Sequence, residues 1–275
     1  MERVTEALQR ARAELAGESA PLRPVTPLRD TGPDSRSRQD GGVAGHFRRD
    51  AAGSPLAADP RFPLVRLDEA ALEQNRVVAN DSSSPLTRYY DMLRNQLLSN
   101  KEGMVGTIAV TSPTAGCGVT VTAINLAFSL ARMRTTNVLL VDANPSDAGV
   151  AAKLRLWDGL TTSDAPDGII RAEAGEVCVY IVTAPGTAGE VVDHHRLSEL
   201  VESARKAVRP ALVVLDLPPM LANDETIPSA LDADRLVLVL AVGESTVADL
   251  EACKTFLGSK AGVQVVLNKT RWHDL

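Results

Sequence analysis

Residues 107–131, TIAVTSPTAGCGVTVTAINLAFSLA, constrain this 275-residue chain more than any other stretch. A β-branched run passes into the small-residue loop Ala115-Gly116-Cys117-Gly118 and then into an amphipathic helical pattern. The glycines let backbone N–H groups approach an anion, and the start of the helix adds partial positive charge. Further β-rich runs at 137–143, 177–183, 211–217, 235–241 and 263–267 follow the first at 105–111. Helical patterns lie between them at 120–132, 191–207 and 247–257, with another at 89–98 before the first strand. This alternation predicts an α/β fold built on a doubly wound, mostly parallel sheet, with ligands beyond the carboxyl ends of the strands. An apolar set dominated by Val, Leu, Ile and Ala, with only 3% aromatic residues, suits strands covered on both faces.

The front of the chain has a different character. Residues 1–17 place Val4, Ala7, Leu8, Ala11 and Leu15 at helical spacing, predicting a short amphipathic helix that stops at Gly17. Its polar face balances Arg3, Arg10 and Arg12 against Glu2, Glu6 and Glu14, unlike the cationic face of a membrane-surface helix. Residues 18–63 hold seven of the sixteen prolines among Ser, Gly, Asp and Arg and predict a disordered linker. The main domain is expected at 64–275.

Two later strand ends complete a constellation around the glycine loop. LLVDANP brings Asp142 and Asn144, and LVVLDLPP brings Asp216 with Pro218 and Pro219. Carboxylates at strand ends facing a phosphate-cradling loop are where a magnesium–nucleotide complex is held. A working P-loop carries lysine directly after its last glycine, followed by Ser or Thr for magnesium. Here Val119 stands at the lysine position and Thr120 supplies the hydroxyl.

On these motifs the sequence resembles the bacterial tyrosine autokinases of capsule and exopolysaccharide biosynthesis, in particular the soluble, exosortase-associated type. These are deviant P-loop ATPases related to MinD and ParA. The resemblance runs from about Leu67 to Lys269. It implies a P-loop NTPase fold, with Gly116, Cys117, Gly118, Val119 and Thr120 forming the nucleotide loop and Asn268 meeting the adenine. It places magnesium on Thr120, Asp142 and Asp216, the two aspartates being the catalytic positions. ATP with Mg2+ is the implied cofactor, and an inner-membrane polysaccharide chain-length or export protein, or an intact kinase, is the implied partner.

The departures from that family define the expected function. Its loop lysine is Val119, its neighbouring acid is Cys117, and the second acid of its Asp-x-Asp motif is Asn144. The early lysine of MinD-type loops is Thr114. Nothing nearby replaces either cation, and losing a charge-assisted contact weakens phosphate binding by about ten- to a hundredfold. ATP and Mg2+ are therefore expected to bind weakly. The family's Glu-x-x-Arg-x-x-Arg oligomerisation stretch falls on Arg88, Asp91 and Arg94, with one charge reversed in each sense, leaving a homo-oligomer possible in altered form. Tyr89, Tyr90 and Tyr180 are the only tyrosines, in place of a C-terminal cluster. The expected function is a catalytically degenerate, tyrosine-kinase-like P-loop protein that regulates or scaffolds polysaccharide synthesis and export. The alternatives are an active tyrosine kinase or ATPase of the same pathway with a cation supplied in trans, and a MinD/ParA-like positioning ATPase.

Other classes are disfavoured. The net charge is −6, and its acid excess lies in the folded part, a poor match to nucleic-acid phosphates. Cys117, Cys178 and Cys253 are odd in number and widely spaced, supporting neither a disulfide framework nor a zinc site. His194 and His195 are adjacent and diverge around a helix, so they do not form an i, i+4 metal pair. No apolar run reaches the roughly 18 residues of a membrane span. The expected location is the cytoplasm, peripheral at the inner membrane only through a partner.

Overall fold

The computed structural model describes residues 61–99, 106–134, 137–144, 149–158, 165, 168–185, 192–210 and 212–270. The expected helix at 1–17 and nearly all of the expected linker lie outside them. Eight strands form one sheet: β1 (Leu64–Arg66), β2 (Thr107–Thr111), β3 (Val138–Asp142), β4 (Ile169–Ala174), β5 (Val177–Thr183), β6 (Leu212–Asp216), β7 (Arg235–Ala241) and β8 (Val263–Asn268). The order across the sheet is β1-β4-β5-β3-β6-β2-β7-β8. Every neighbouring pair is parallel except β4–β5, a hairpin closed by Gly175 and Glu176. Gly175 there has φ +59°, the left-handed conformation that glycine adopts without Cβ strain.

Among the described residues seven helices cover the sheet: α1 (Glu69–Gln74), α2 (Thr87–Ser99), α3 (Val119–Ala131), α4 (Val150–Leu154), α5 (His194–Val208), α6 (Thr226–Asp232) and α7 (Val247–Leu257). The strand period of two sorts the core into two layers. Ile108, Val110, Leu140, Val214, Val237 and Val239 pack towards α1 to α4, whereas Ala109, Leu139, Val141, Val213, Leu236 and Leu238 pack towards α5 to α7. The doubly wound, mostly parallel α/β sheet expected from the alternation is therefore the fold observed.

Helix α3 is the axis of the first layer, and eleven of its thirteen residues are buried. Among them Asn125 has all its hydrogen-bonding capacity in use. Its Oδ1 accepts from the N–H groups of Val78 and Ala79, at 2.8 and 2.9 Å. Its Nδ2 donates to the carbonyls of Arg76 and Val121, at 2.9 and 2.8 Å. A buried amide with every group satisfied pins the segment between α1 and α2 to the central helix.

The folded part includes residues ascribed above to the linker. Phe62 is only 3% exposed and meets the Tyr180 ring edge-on, with centroids 5.8 Å apart. Tyr180 is thus a core residue. Of the helix tyrosines, Tyr90 packs against the core while Tyr89 is exposed beneath the Arg88 guanidinium. No helix among the described residues is long and apolar enough to cross a membrane.

Candidate nucleotide site

The carboxyl ends of β2, β3 and β6 meet at the centre of the sheet, with Asp142 directly opposite Asp216 in register and Val110 opposite Asp216 on the other side. The chain leaving β2 is anchored before it turns. Thr111 Oγ1 donates to the Pro218 carbonyl at 2.6 Å, and Met220 N–H donates to the Ser112 carbonyl at 2.8 Å. The segment after Asp216 thus supports the first half of the loop, which gives the Pro218-Pro219 pair a structural role.

The loop closes with Gly116 at φ +81° and Gly118 at φ +90°, backbone that favours glycine. At Gly118 there is also no room for a side chain, because a Cβ would lie 2.3 Å from Asn268 Nδ2. That amide donates to the Cys117 carbonyl at 2.9 Å. Asn268 therefore holds the loop from the end of β8. Gly118 caps α3 without a side-chain acceptor, which leaves the first-turn N–H groups available to an anion.

Side chains at the ends of β7 and β8 finish the collar. Ser245 Oγ accepts from the Ala241 N–H at 3.0 Å and lies 3.3 Å from the buried Cys117 Sγ. Glu244 lies beside Gly116 and pairs with Lys269 at 3.0 Å. Ser245, Glu244 and Lys269 were not foreseen from sequence. The only sequence signal for them was their place just after two strands.

Val119, at the position of the missing lysine, is 8% exposed and belongs to the core layer beneath the loop. Thr120, next in the chain, is half-buried and its hydroxyl lies near Asp216. Asp216 is fully buried, and neither carboxylate oxygen accepts a well-formed hydrogen bond. Burial, and then the nearby Asp142 charge, push its carboxyl well above the usual range, while the Thr120 hydroxyl and the Lys153 charge pull weakly the other way.

Asp142 is in a different state. Its oxygens accept from the N–H groups of Asn144 and Val150, both at 3.1 Å. Burial raises its carboxyl, with these backbone donors opposing the rise. It thereby positions α4, whose own N-cap Gly149 has no side chain to do so. Each oxygen keeps a lone pair for a further partner.

This donor set fits a magnesium ion. Mg2+ takes one or two carboxylates with a hydroxyl, waters and substrate phosphates, rather than a cage of protein ligands. An orphaned carboxylate beside a threonine hydroxyl at the mouth of a phosphate loop offers that chemistry. Among the described residues no cluster of three or more His, Cys, Asp or Glu side chains could hold a metal unaided. His194 is occupied elsewhere, with Nδ1 3.0 Å from Ser229 Oγ and Nε2 3.1 Å from Asp232.

The helix residues aligned with the oligomerisation stretch are engaged within the chain. Asp91 receives the Ser129 hydroxyl at 2.6 Å and the Arg132 guanidinium, and Arg94 donates to Asp91 at 3.1 Å and to the Ser129 carbonyl at 2.9 Å. Asp91 and Arg94 thus join α2 to α3 and are not free solvated charges.

Glycine loop, strand order and paired carboxylates together define a P-loop-type α/β fold. The chain has the architecture of bacterial tyrosine kinase domains. It is similar to the chimerical protein CapA2B2, with TM-score 0.52 and 17% identity over 76% of this chain and 94% of that one. It is also similar to the kinase domain of Escherichia coli tyrosine kinase ETK, with TM-score 0.51 and 17% identity over 78% and 92%. For the VpsO kinase domain the values are 0.50 and 22% over 68% and 97%. By sequence, no family model and no curated protein matches the chain.

Proposed function

We propose that this protein is a catalytically degenerate relative of the bacterial tyrosine autokinases. In this reading it retains weak binding of ATP with magnesium and acts as a regulatory or scaffolding partner of exopolysaccharide or capsule synthesis and export. One contrast carries the reading. Gly116, Gly118, Thr120, Asp142 and Asp216 would frame a nucleotide, while the loop position where a lysine is expected is Val119, buried in the core. Transferring a phosphoryl group depends on positioned positive charge that stabilises the transition state. Without the loop lysine the backbone N–H groups, Thr120 and the carboxylates can hold a magnesium–nucleotide complex but compensate little of the charge that develops during transfer.

The test is titration calorimetry with ATP and magnesium on the full-length protein and on Val119→Lys. Wild-type protein should bind weakly and turn over negligibly, and the lysine should tighten binding by about tenfold or more. After incubation with ATP, mass spectrometry should find Tyr89, Tyr90 and Tyr180 unmodified. Low-micromolar binding with turnover, or stoichiometric self-phosphorylation, would instead establish an active kinase. The partner role is tested by deleting residues 1–17, the segment we assign to docking. Co-purification with the export machinery should be lost while the melting temperature of the folded domain is unchanged.

A further inference from the structure

The loop lacks its lysine, yet another lysine stands on the short helix that Asp142 positions. Lys153 lies on α4, one helical turn after Val150, whose N–H is bonded to Asp142 Oδ2. Residues three apart share a helix face, and helical side chains lean back towards the N-terminus of their helix. On α4 the N-terminus is the end whose Val150 N–H is bonded to Asp142, which stands opposite Asp216 in register. The helix is fixed where this matters. Val150 and Leu154 are buried in the core, and Asn75 Nδ2 donates to the Lys153 carbonyl at 3.0 Å. Among the described residues the side chain of the half-buried Lys153 has no hydrogen-bond or ion-pair partner, and its charge opposes the rise of the Asp216 carboxyl.

We propose that Lys153 supplies, from α4, the positive charge towards the magnesium–triphosphate group that Val119 does not supply from the loop. The proposal rests on the nucleotide reading above and names the residue that sustains it. A lysine with no ion-pair partner, on a helix positioned by one site carboxylate, can neutralise phosphate oxygens drawn to Thr120 and Asp216.

The experiment measures binding of ATP with magnesium, and of inorganic tripolyphosphate with magnesium, to the full-length wild type, Lys153→Gln, Lys153→Arg and Val119→Lys/Lys153→Gln. The Gln variant should lose about tenfold or more in affinity for both probes. The Arg variant, which keeps the charge, should retain most of it, and the double variant should recover what Gln lost. Melting curves without ligand should superimpose for wild type and Gln, separating a phosphate contact from support of the fold. Should Gln fail to fold, Lys153→Met keeps the length of the stem without its charge and is read in the same way. Wild-type binding with an unchanged Gln variant overturns this proposal and leaves the nucleotide reading standing. A wild type that takes up neither probe overturns both.

Discussion

At Asp216 a carboxylate without a hydrogen-bond partner sits at the centre of the sheet, and burial raises its pKa well above the usual range. In the unfolded chain the same group titrates near 3.8. Between those two values the folded state holds the extra proton, so stability of the ligand-free protein falls as pH rises through the window. Replacing Asp216 by Asn removes the buried charge. It should raise unfolding stability at neutral pH by about 1 to 3 kcal/mol and flatten the pH dependence over that window, as read by urea denaturation. The same variant should lose magnesium-dependent binding of ATP. Burial of a carboxylate without compensation serves no structural purpose, which marks Asp216 as a candidate functional residue. Asp216 and Thr120 were legible in the sequence because each stands at a fixed offset from a strand or a glycine loop. The orphaned state of Asp216 was not, since it depends on which neighbours decline to donate.

Among the elements, the joint between α2 and α3 works in the opposite direction with pH. Burial would raise the Asp91 carboxyl, but the Ser129 hydroxyl, Arg132 and Arg94 outweigh it and hold it below the usual range. A depressed pKa contributes stability that is present above the unfolded value and is lost as pH falls through the folded one. Asp91→Ala should therefore lower stability at neutral pH by about 2 kcal/mol, with the difference from wild type shrinking in acid. Chemical denaturation at two pH values checks this. Helix α2 itself was legible from the helical pattern at 89–98, whereas the partners of Asp91 were not, because Arg132 is 41 residues away. Shorter elements escaped detection for a related reason. A three-residue β1, a five-residue α4 and a seven-residue α6 carrying Pro228 offer too few periods for a pattern. Strand β4, IIRAEA, carries charges on its less buried positions, and pairing with β5 and β1 makes it a strand.

For the molecule as a whole, the folded unit begins earlier than composition suggests. Phe62 lies in the proline-rich stretch yet is buried against Tyr180, so Phe62→Ala should cost about 3 kcal/mol of stability, measurable as a lowered melting temperature. A single aromatic among prolines carries no periodic signal, and only the presence of Tyr180 on the facing strand makes it a core residue. The alternation of β-branched runs and helices was enough to set the doubly wound sheet, because burial on both faces and right-handed crossovers leave few other ways to pack such a chain. The glycine loop and the two strand-end aspartates were likewise readable, since their chemistry depends on local backbone and on position along a strand. Tertiary packing alone decided the rest: Val119 turned inward, Asn268 clamped to the loop, and Lys153 set on a helix positioned by Asp142. Charge and burial at a site depend on residues far apart in sequence, and a one-dimensional pattern carries no distances between them.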